Sequence, residues 1–231
     1  MSIKGYTNIS DNGLVFYVDA YNNKSYVSGD TTTNDLVNDI QGSLINGVGF
    51  NGKSFTFDGV DDYIDTDSLI PLIQNDTQGS IELWIKYPSI VNNMTMISFG
   101  KNTAITSLSI RILSDSRIIC AYETNGTTQW NIITDFIDNI DKSTHLVITQ
   151  DGTSSKLYLN GIDVGINGGG GNQNLWLGSD TFNTCVIGRS QNNGSSARYW
   201  DGDISNFKYY NRGLTSEEVK QNYNASKWRF K

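Results

Sequence analysis

HLVITQDGTSSKLYLNGIDVG, residues 145–165, decides the fold class. Asp151-Gly152 and Asn160-Gly161 are residue pairs that accept positive φ, and each lies between runs that alternate apolar and polar side chains. The stretch therefore reads as three consecutive antiparallel strands joined by tight turns. Within KLYLNG, Leu157 and Leu159 point one way and Tyr158 the other, while the Asn-Gly turn holds the register.

The pattern continues outward in both directions. Alternating or β-branched runs separated by Gly, Asn and Asp occur at 14–18, 54–57, 80–86, 94–99, 107–113, 118–123 and 130–134. Beyond the opening stretch they recur at 175–177, 185–189 and 204–210. Many short strands at near-regular spacing mean a β-sandwich or barrel. In SIELWIK, Ile81, Leu83 and Ile85 share the core face and Glu82, Trp84 and Lys86 the other, with Trp84 expected to pack between layers. In FDGVDDYID, Phe57 and Tyr63 are expected to pack inward while Asp58-Gly59 turns the chain. One segment carries helix signals. Thr215 is an N-cap, Glu218 closes a capping box, and Leu214 and Val219 form a hydrophobic staple, so a short helix should start at Ser216 and dock on the sheet.

Composition narrows the function classes. The 231 residues are 37 % hydrophobic and 11 % aromatic, enough apolar matter for a core, which excludes disorder. With a net charge of -7, a pI near 4.6 and no basic run, the chain is a poor partner for nucleic acid or anionic lipid. No apolar stretch approaches the roughly 20 residues needed to cross a bilayer, and MSIKGYTNISDNG has no apolar signal region. The mature protein is thus expected to start near Met1. No linker-like shift divides the chain, and GINGGGGNQN (165–174) reads as an exposed connection, so 1–231 reads as a single domain with a core over about 13–223 and arms at 1–12 and 224–231.

Cys120 and Cys185 sit in apolar runs and read as buried thiols of a reducing compartment rather than a disulfide. Seven Asn-x-Ser/Thr triplets, at Asn8, Asn23, Asn75, Asn93, Asn125, Asn193 and Asn224, are expected by chance in so Asn-, Ser- and Thr-rich a chain. Catalytic chemistry is sparse. The only Glu residues are Glu82, Glu123, Glu217 and Glu218, and the single His145 begins a strand, where a packing role is expected over that of a catalytic base. No nucleophile and base constellation emerges, and the glycine run lacks the Lys-Ser/Thr of a phosphate loop.

Seven strings, in order, resemble laminin-G-like, concanavalin A-like jelly-roll domains: GLVFYVDA (13–20), SFTFDGVDDYID (54–65), GSIELWIKYP (79–88), THLVITQDG (144–152), KLYLNGIDVG (156–165), VIGR (186–189) and GDISNFKYYNRGLTSEEVKQNY (202–223). The opening GLVFYVDA and the closing YNRGLTSEEVKQNYNASKWRF look most like the versions found in tailed-phage virion proteins. The resemblance implies an all-β fold, a two-sheet antiparallel jelly-roll sandwich with a concave face, here with a short C-terminal helix. It also implies a virion structural or decoration protein of capsid, neck, tail or tail fibre, assembled in the host cytoplasm without a signal peptide. Its partners would be other virion proteins, a further copy of itself and a host-surface glycan.

Glycan binding in this fold uses exposed aromatic rings beside polar forks. Trp130, Trp176, Tyr199 and Trp200 lie in polar or glycine-rich surroundings and are the candidate platforms, with Arg189 and Arg198 as forks; the competing reading for each Trp is packing. For a metal, Ca²⁺ suits the carboxylates of Asp58, Asp61, Asp62 and Asp203, although such residues also form Asx turns, and Ser205 stands where the family often carries an acid. Trp228 and Phe230, in the terminal SKWRFK, suggest docking on the sandwich or on a neighbouring subunit. Related glycosidases place acidic residues at alternate positions of one strand, whereas SIELWIK supplies one Glu and then Trp and Lys. The sequence therefore reads as non-enzymatic, with a free lectin module and a glycoside hydrolase as the alternatives.

Overall fold

The computed structural model describes residues 9–87, 93–135, 142–165 and 169–230. In chain order the first strands are β1 (Leu14–Asp19), β2 (Thr32–Asn34), β3 (Gln41–Ile45), β4 (Gly49–Phe50), β5 (Phe55–Asp58) and β6 (Tyr63–Asp65). A one-turn helix α1 (Ile70–Ile73) leads to β7 (Gly79–Lys86), β8 (Met94–Gly100), β9 (Ser107–Ile112), β10 (Ile118–Thr124) and β11 (Thr127–Ile133). Then come β12 (Thr144–Gln150), β13 (Ser155–Leu159), β14 (Ile162–Asp163), β15 (Gly169–Gly171), β16 (Thr184–Ile187), β17 (Ser190–Asn192), β18 (Ser195–Ala197) and β19 (Asp201–Tyr210). Helix α2 (Ser216–Ser226) and a 3₁₀ turn (Lys227–Phe230) close the described chain.

The strands form two antiparallel sheets, as a concanavalin A-like jelly roll requires. An eight-stranded sheet runs β14-β13-β12-β7-β19-β5-β4, with β1 also on β19, and a nine-stranded sheet runs β15-β11-β10-β9-β8-β16-β6-β3-β2. Between them lies one apolar core, in which Ile81, Leu83 and Ile85 of β7 join Ile97, Phe99, Leu108 and Ile110 of the other sheet. The β12–β13–β14 meander forms as its turn residues dictate: Asn160 and Gly161 both take positive φ, and Asp151 Oδ1 accepts the Thr153 and Ser154 N–H groups at 2.9 Å.

The eight-stranded sheet is buried on both faces. Outside the inter-sheet core, Val147, Tyr158 and Tyr210 pack with Leu214 and Val219 at the start of α2. The capping box forms as expected, with Glu218 N–H donating to Thr215 Oγ1 at 3.3 Å and Thr215 N–H to Glu218 Oε2 at 3.0 Å. The chain does not turn into an arm at 224 but stays helical to Phe230. Three local expectations are corrected. Residues 175–177 form no strand; Leu177–Ser179 is a 3₁₀ turn that points Trp176 into the core. Part of the glycine run pairs with β11 as β15, because Gly169 and Gly171 approach the β11 carbonyls closer than any side chain permits. Within FDGVDDYID, Phe57 packs inward but Tyr63 does not; Ile64 takes the core position and puts Tyr63 on the outer face.

Candidate functional site

Alternation along the nine-stranded sheet turns large apolar residues inward and small polar ones outward. In SLSIRI (107–112), Leu108, Ile110 and Ile112 enter the core, so Ser107, Ser109 and Arg111 face out. One outward row runs Asn131, Ala121, Ser109, Ser98 and Val186 across β11, β10, β9, β8 and β16. Arg111 lies one row to one side of it and Glu123 one row to the other, and their side chains meet at 3.6 Å. The ion pair therefore bridges Ser109 and Ala121, which explains why these small residues are buried on an outward face. Burial and the nearby Arg198 cation lower the Arg111 pKa while Glu123 raises it.

A hairpin stands on the same face. β17 and β18 pair through a tight turn with positive φ at Asn193 and Gly194. Gly100 has no Cβ, so the Gln191 carbonyl settles directly on β8, and Gln191 Nε2 donates to Asn102 Oδ1 at 2.9 Å. At the hairpin's start the Arg189 guanidinium lies 3.8 Å above the Tyr63 ring and bonds Gln191 Oε1 and Ser196 Oγ. At its end the Arg198 carbonyl accepts the Thr95 N–H at 2.8 Å. Hydroxyls, amides and charged forks on an outward sheet face suit hydrogen bonding to a polyhydroxylated ligand.

The residues singled out by sequence distribute unevenly over this site. Arg198 is exposed beside it, Tyr199 is half-buried, and Arg189 is buried but lies on the face. Trp130, Trp176 and Trp200 are corrected, since all three rings have no accessible surface and none can stack on a sugar. Trp130 stacks between Tyr122 and Trp176, at ring centroid distances of 6.3 Å and 6.4 Å. Trp176 Nε1 donates to Tyr209 Oη at 3.0 Å, and Trp200 packs edge-on against Tyr87. Polar neighbours in sequence did not make these rings exposed, because β11 points Trp130 inward, the 3₁₀ turn does the same for Trp176, and Trp200 enters the core just before β19. Arg111, Glu123 and Asn131 were not singled out, though the alternation in SLSIRI carried the signal for Arg111.

For a cation, Asp58, Asp61 and Asp62 bring carboxylate oxygens within 4.8 Å of one another. Asp58 Oδ1 is held by the Val60 N–H at 2.8 Å, and Asp62 Oδ2 accepts the Asp58 N–H at 3.1 Å. Asp62 Oδ1 is buried without a partner, and burial together with the Asp58 charge raises the Asp62 pKa. That donor set fits a hard cation such as Ca²⁺, with Asp62 Oδ1 as the atom to meet it. Asp203 is corrected: Asp201, not Asp203, pairs with Asp58, and Asp203 accepts from Asn51 Nδ2 at 3.1 Å and lines a cavity of about 350 Å³ with Lys53, Lys86 and Phe230. The terminal aromatics part company, with Phe230 docked on the chain's own Trp84 and Trp228 57 % exposed.

Comparison with known proteins bears on the fold. A family model described as the concanavalin A-like lectin/glucanases superfamily matches residues 58–220. No curated protein matches the chain. Among solved structures, the CBM40 of a Ruminococcus gnavus IT-sialidase, bound to alpha2,3 sialyllactose, is similar at a TM-score of 0.63 and 14 % identity, over 73 % of this chain and 95 % of that one. A Trypanosoma rangeli sialidase in complex with the inhibitor DANA is similar at 0.68 and 12 %, over 96 % of this chain but 34 % of that one. A mutant NanB sialidase from Streptococcus pneumoniae is similar at 0.60 and 15 %, over 73 % of this chain and 27 % of that one. The chain thus spans about a third or less of these two sialidases, and at such identities the likeness is one of fold.

Proposed function

Because this chain belongs to the concanavalin A-like lectin/glucanases superfamily, we propose that it binds glycan without turning it over and is displayed on a tailed-phage particle. The observation that carries the glycan reading is the outward face of the nine-stranded sheet, where the Arg111–Glu123 pair, Asn131 and the β17–β18 hairpin present polar groups above small side chains. The sialyllactose bound to the Ruminococcus gnavus CBM40 supports a glycan as the class of ligand.

The non-enzymatic reading is supported by where the carboxylates and the imidazole are spent. Glu82 is locked inside the eight-stranded sheet against Lys208 and His145, Glu123 pairs with Arg111, and Glu218 caps α2. The virion reading is supported by the two terminal strings that resemble phage versions of the domain. A glycan array probed with folded protein, with and without Ca²⁺, is expected to light up; a blank array under both conditions overturns the glycan reading. Mass spectrometry of denatured, purified particles should recover the protein, and its absence from particles would sink the virion reading.

A further inference from the structure

The chain has six arginines, and three of them, Arg111, Arg189 and Arg198, lie on or beside the outward face of the nine-stranded sheet. Arg189 lies on Tyr63 and bonds Gln191 and Ser196 through Nη1, although its Nε is buried without a partner. The side chains of the other two make no hydrogen bond among the described residues. Arg111 meets Glu123 at 3.6 Å, longer than a hydrogen bond, and its Nε is buried with no partner. Arg198 is exposed, and no hydrogen bond or ion pair engages its side chain among the described residues.

Thr95 brings these two arginines to one corner. It pairs with Arg111 across the β8–β9 ladder, and its N–H donates to the Arg198 carbonyl at 2.8 Å. Arg198 holds φ at +53°, a left-handed conformation that a non-glycine residue adopts at a cost, and this conformation ends the hairpin beside Arg111. The two cations sense each other, since the Arg198 charge is among the causes that lower the Arg111 pKa. Two arginines at one corner beside one carboxylate leave a local excess of positive charge in a chain whose net charge is -7. A planar guanidinium presents a donor fork matched to the oxygens of carboxylate, sulfate or phosphate.

We propose that Arg111 and Arg198 form a subsite for the anionic group of an acidic sugar, so that the glycan bound on this face carries a carboxylate, sulfate or phosphate. This inference rests on the glycan reading above and narrows it. General electrostatic attraction does not supply the selectivity, because a net-negative protein repels polyanions everywhere but at such a corner.

The test measures binding of matched neutral and acidic probes by calorimetry: lactose against alpha2,3 sialyllactose, and dextran against dextran sulfate. Wild type is compared with Arg198→Gln, with the double variant Arg111→Gln/Glu123→Gln, which removes both members of the ion pair, and with Lys24→Gln at a remote exposed position. At least one acidic probe should bind about tenfold or more tightly than its neutral partner, the worth of one hydrogen bond to a charged group, and Arg198→Gln should abolish that difference. Equal binding of neutral and acidic probes, or a preference that survives both site variants, overturns the subsite and leaves the glycan reading standing. An equal loss in Lys24→Gln overturns it as diffuse charge attraction. Failure of folded wild type to bind any glycan, here and on the array, removes both readings together.

Discussion

Phe230 stacks on Trp84, with ring centroids 4.2 Å apart and planes 24° from parallel. Trp84 projects from the outer face of the eight-stranded sheet, and its Nε1 donates to Ser226 Oγ at 2.9 Å, so α2 and the turn after it seal that face. A bidentate pair between Arg229 and the buried Asp19, at 2.6 Å and 2.8 Å, pins the same segment to β1. Phe230→Ala should lower stability by about 2 kcal/mol, less than the ~3–5 kcal/mol of a fully buried Phe because this ring is half-buried. The urea midpoint should fall and tryptophan emission shift to the red; an unchanged midpoint would mean that the terminal turn adds nothing to the fold.

Beneath this seal, Glu82 Oε1 meets Lys208 Nζ while its Oε2 accepts from Asn222 Nδ2 at 2.7 Å. Glu82→Ala leaves Lys208 charged and buried without its partner, which should cost about 3–5 kcal/mol. Glu82→Leu combined with Lys208→Met should cost less than either single change, because no lone charge remains. Urea unfolding of wild type, Glu82→Leu, Lys208→Met and the double variant checks this, and additive single costs would refute it.

Acid should weaken the fold in two stages. Burial depresses the pKa of His145, against the pull of Glu82, so this imidazole binds a proton more readily unfolded, at about 6.5, than folded, and its contribution fades as pH drops below that value. Burial works to raise the Glu82 carboxyl, but Lys208 and His145 hold it at about 2. Its unfolded value is about 4.3, so its contribution stands above that pH and is lost as pH falls toward 2. Asp35, Asp62, Asp67 and Asp76, all raised by burial, act in the opposite sense and make the decline shallower. Urea midpoints across pH should show both stages, and His145→Gln should remove the upper one; an unaltered upper slope in that variant assigns it elsewhere.

Trp130 separates core from ligand roles. Its Nε1 donates to the Leu175 carbonyl at 3.0 Å from within the core, so Trp130→Ala should cost about 3–5 kcal/mol and Trp130→Phe less. Folded Trp130→Phe should bind any array ligand as wild type does. A selective loss of binding would put the ring back in the site.

Both cysteines are free, and burial pushes their thiol pKa values well up. Cys120 and Cys185 should therefore ignore a thiol reagent in native buffer and react only as denaturant unfolds the core. Reaction in native buffer at the rate of an exposed thiol would reveal local opening of the nine-stranded sheet.

Much of the architecture was legible because strand alternation and turn chemistry are local. The Asp151-Gly152 and Asn160-Gly161 turns and the Thr215 to Glu218 capping box each act within a few residues, and each formed as read. The short strands β2, β17 and β18 gave weaker signals, since a three-residue run carries little periodicity and borrows its stability from the strands beside it.

The site was less legible, because it depends on which strands become neighbours. Sequence by itself determined the all-β class, the inward row of Ile and Leu, the start of α2 and the scarcity of catalytic side chains. Only the tertiary structure decided that Trp130, Trp176 and Trp200 are core, that Phe230 folds back on Trp84, and that Arg111 and Arg198 meet at Thr95. The physical reason is sequence distance: Arg111 lies on β9 and Arg198 just after β18, and only the lateral order β9, β8 and the hairpin above them brings the two residues to one corner.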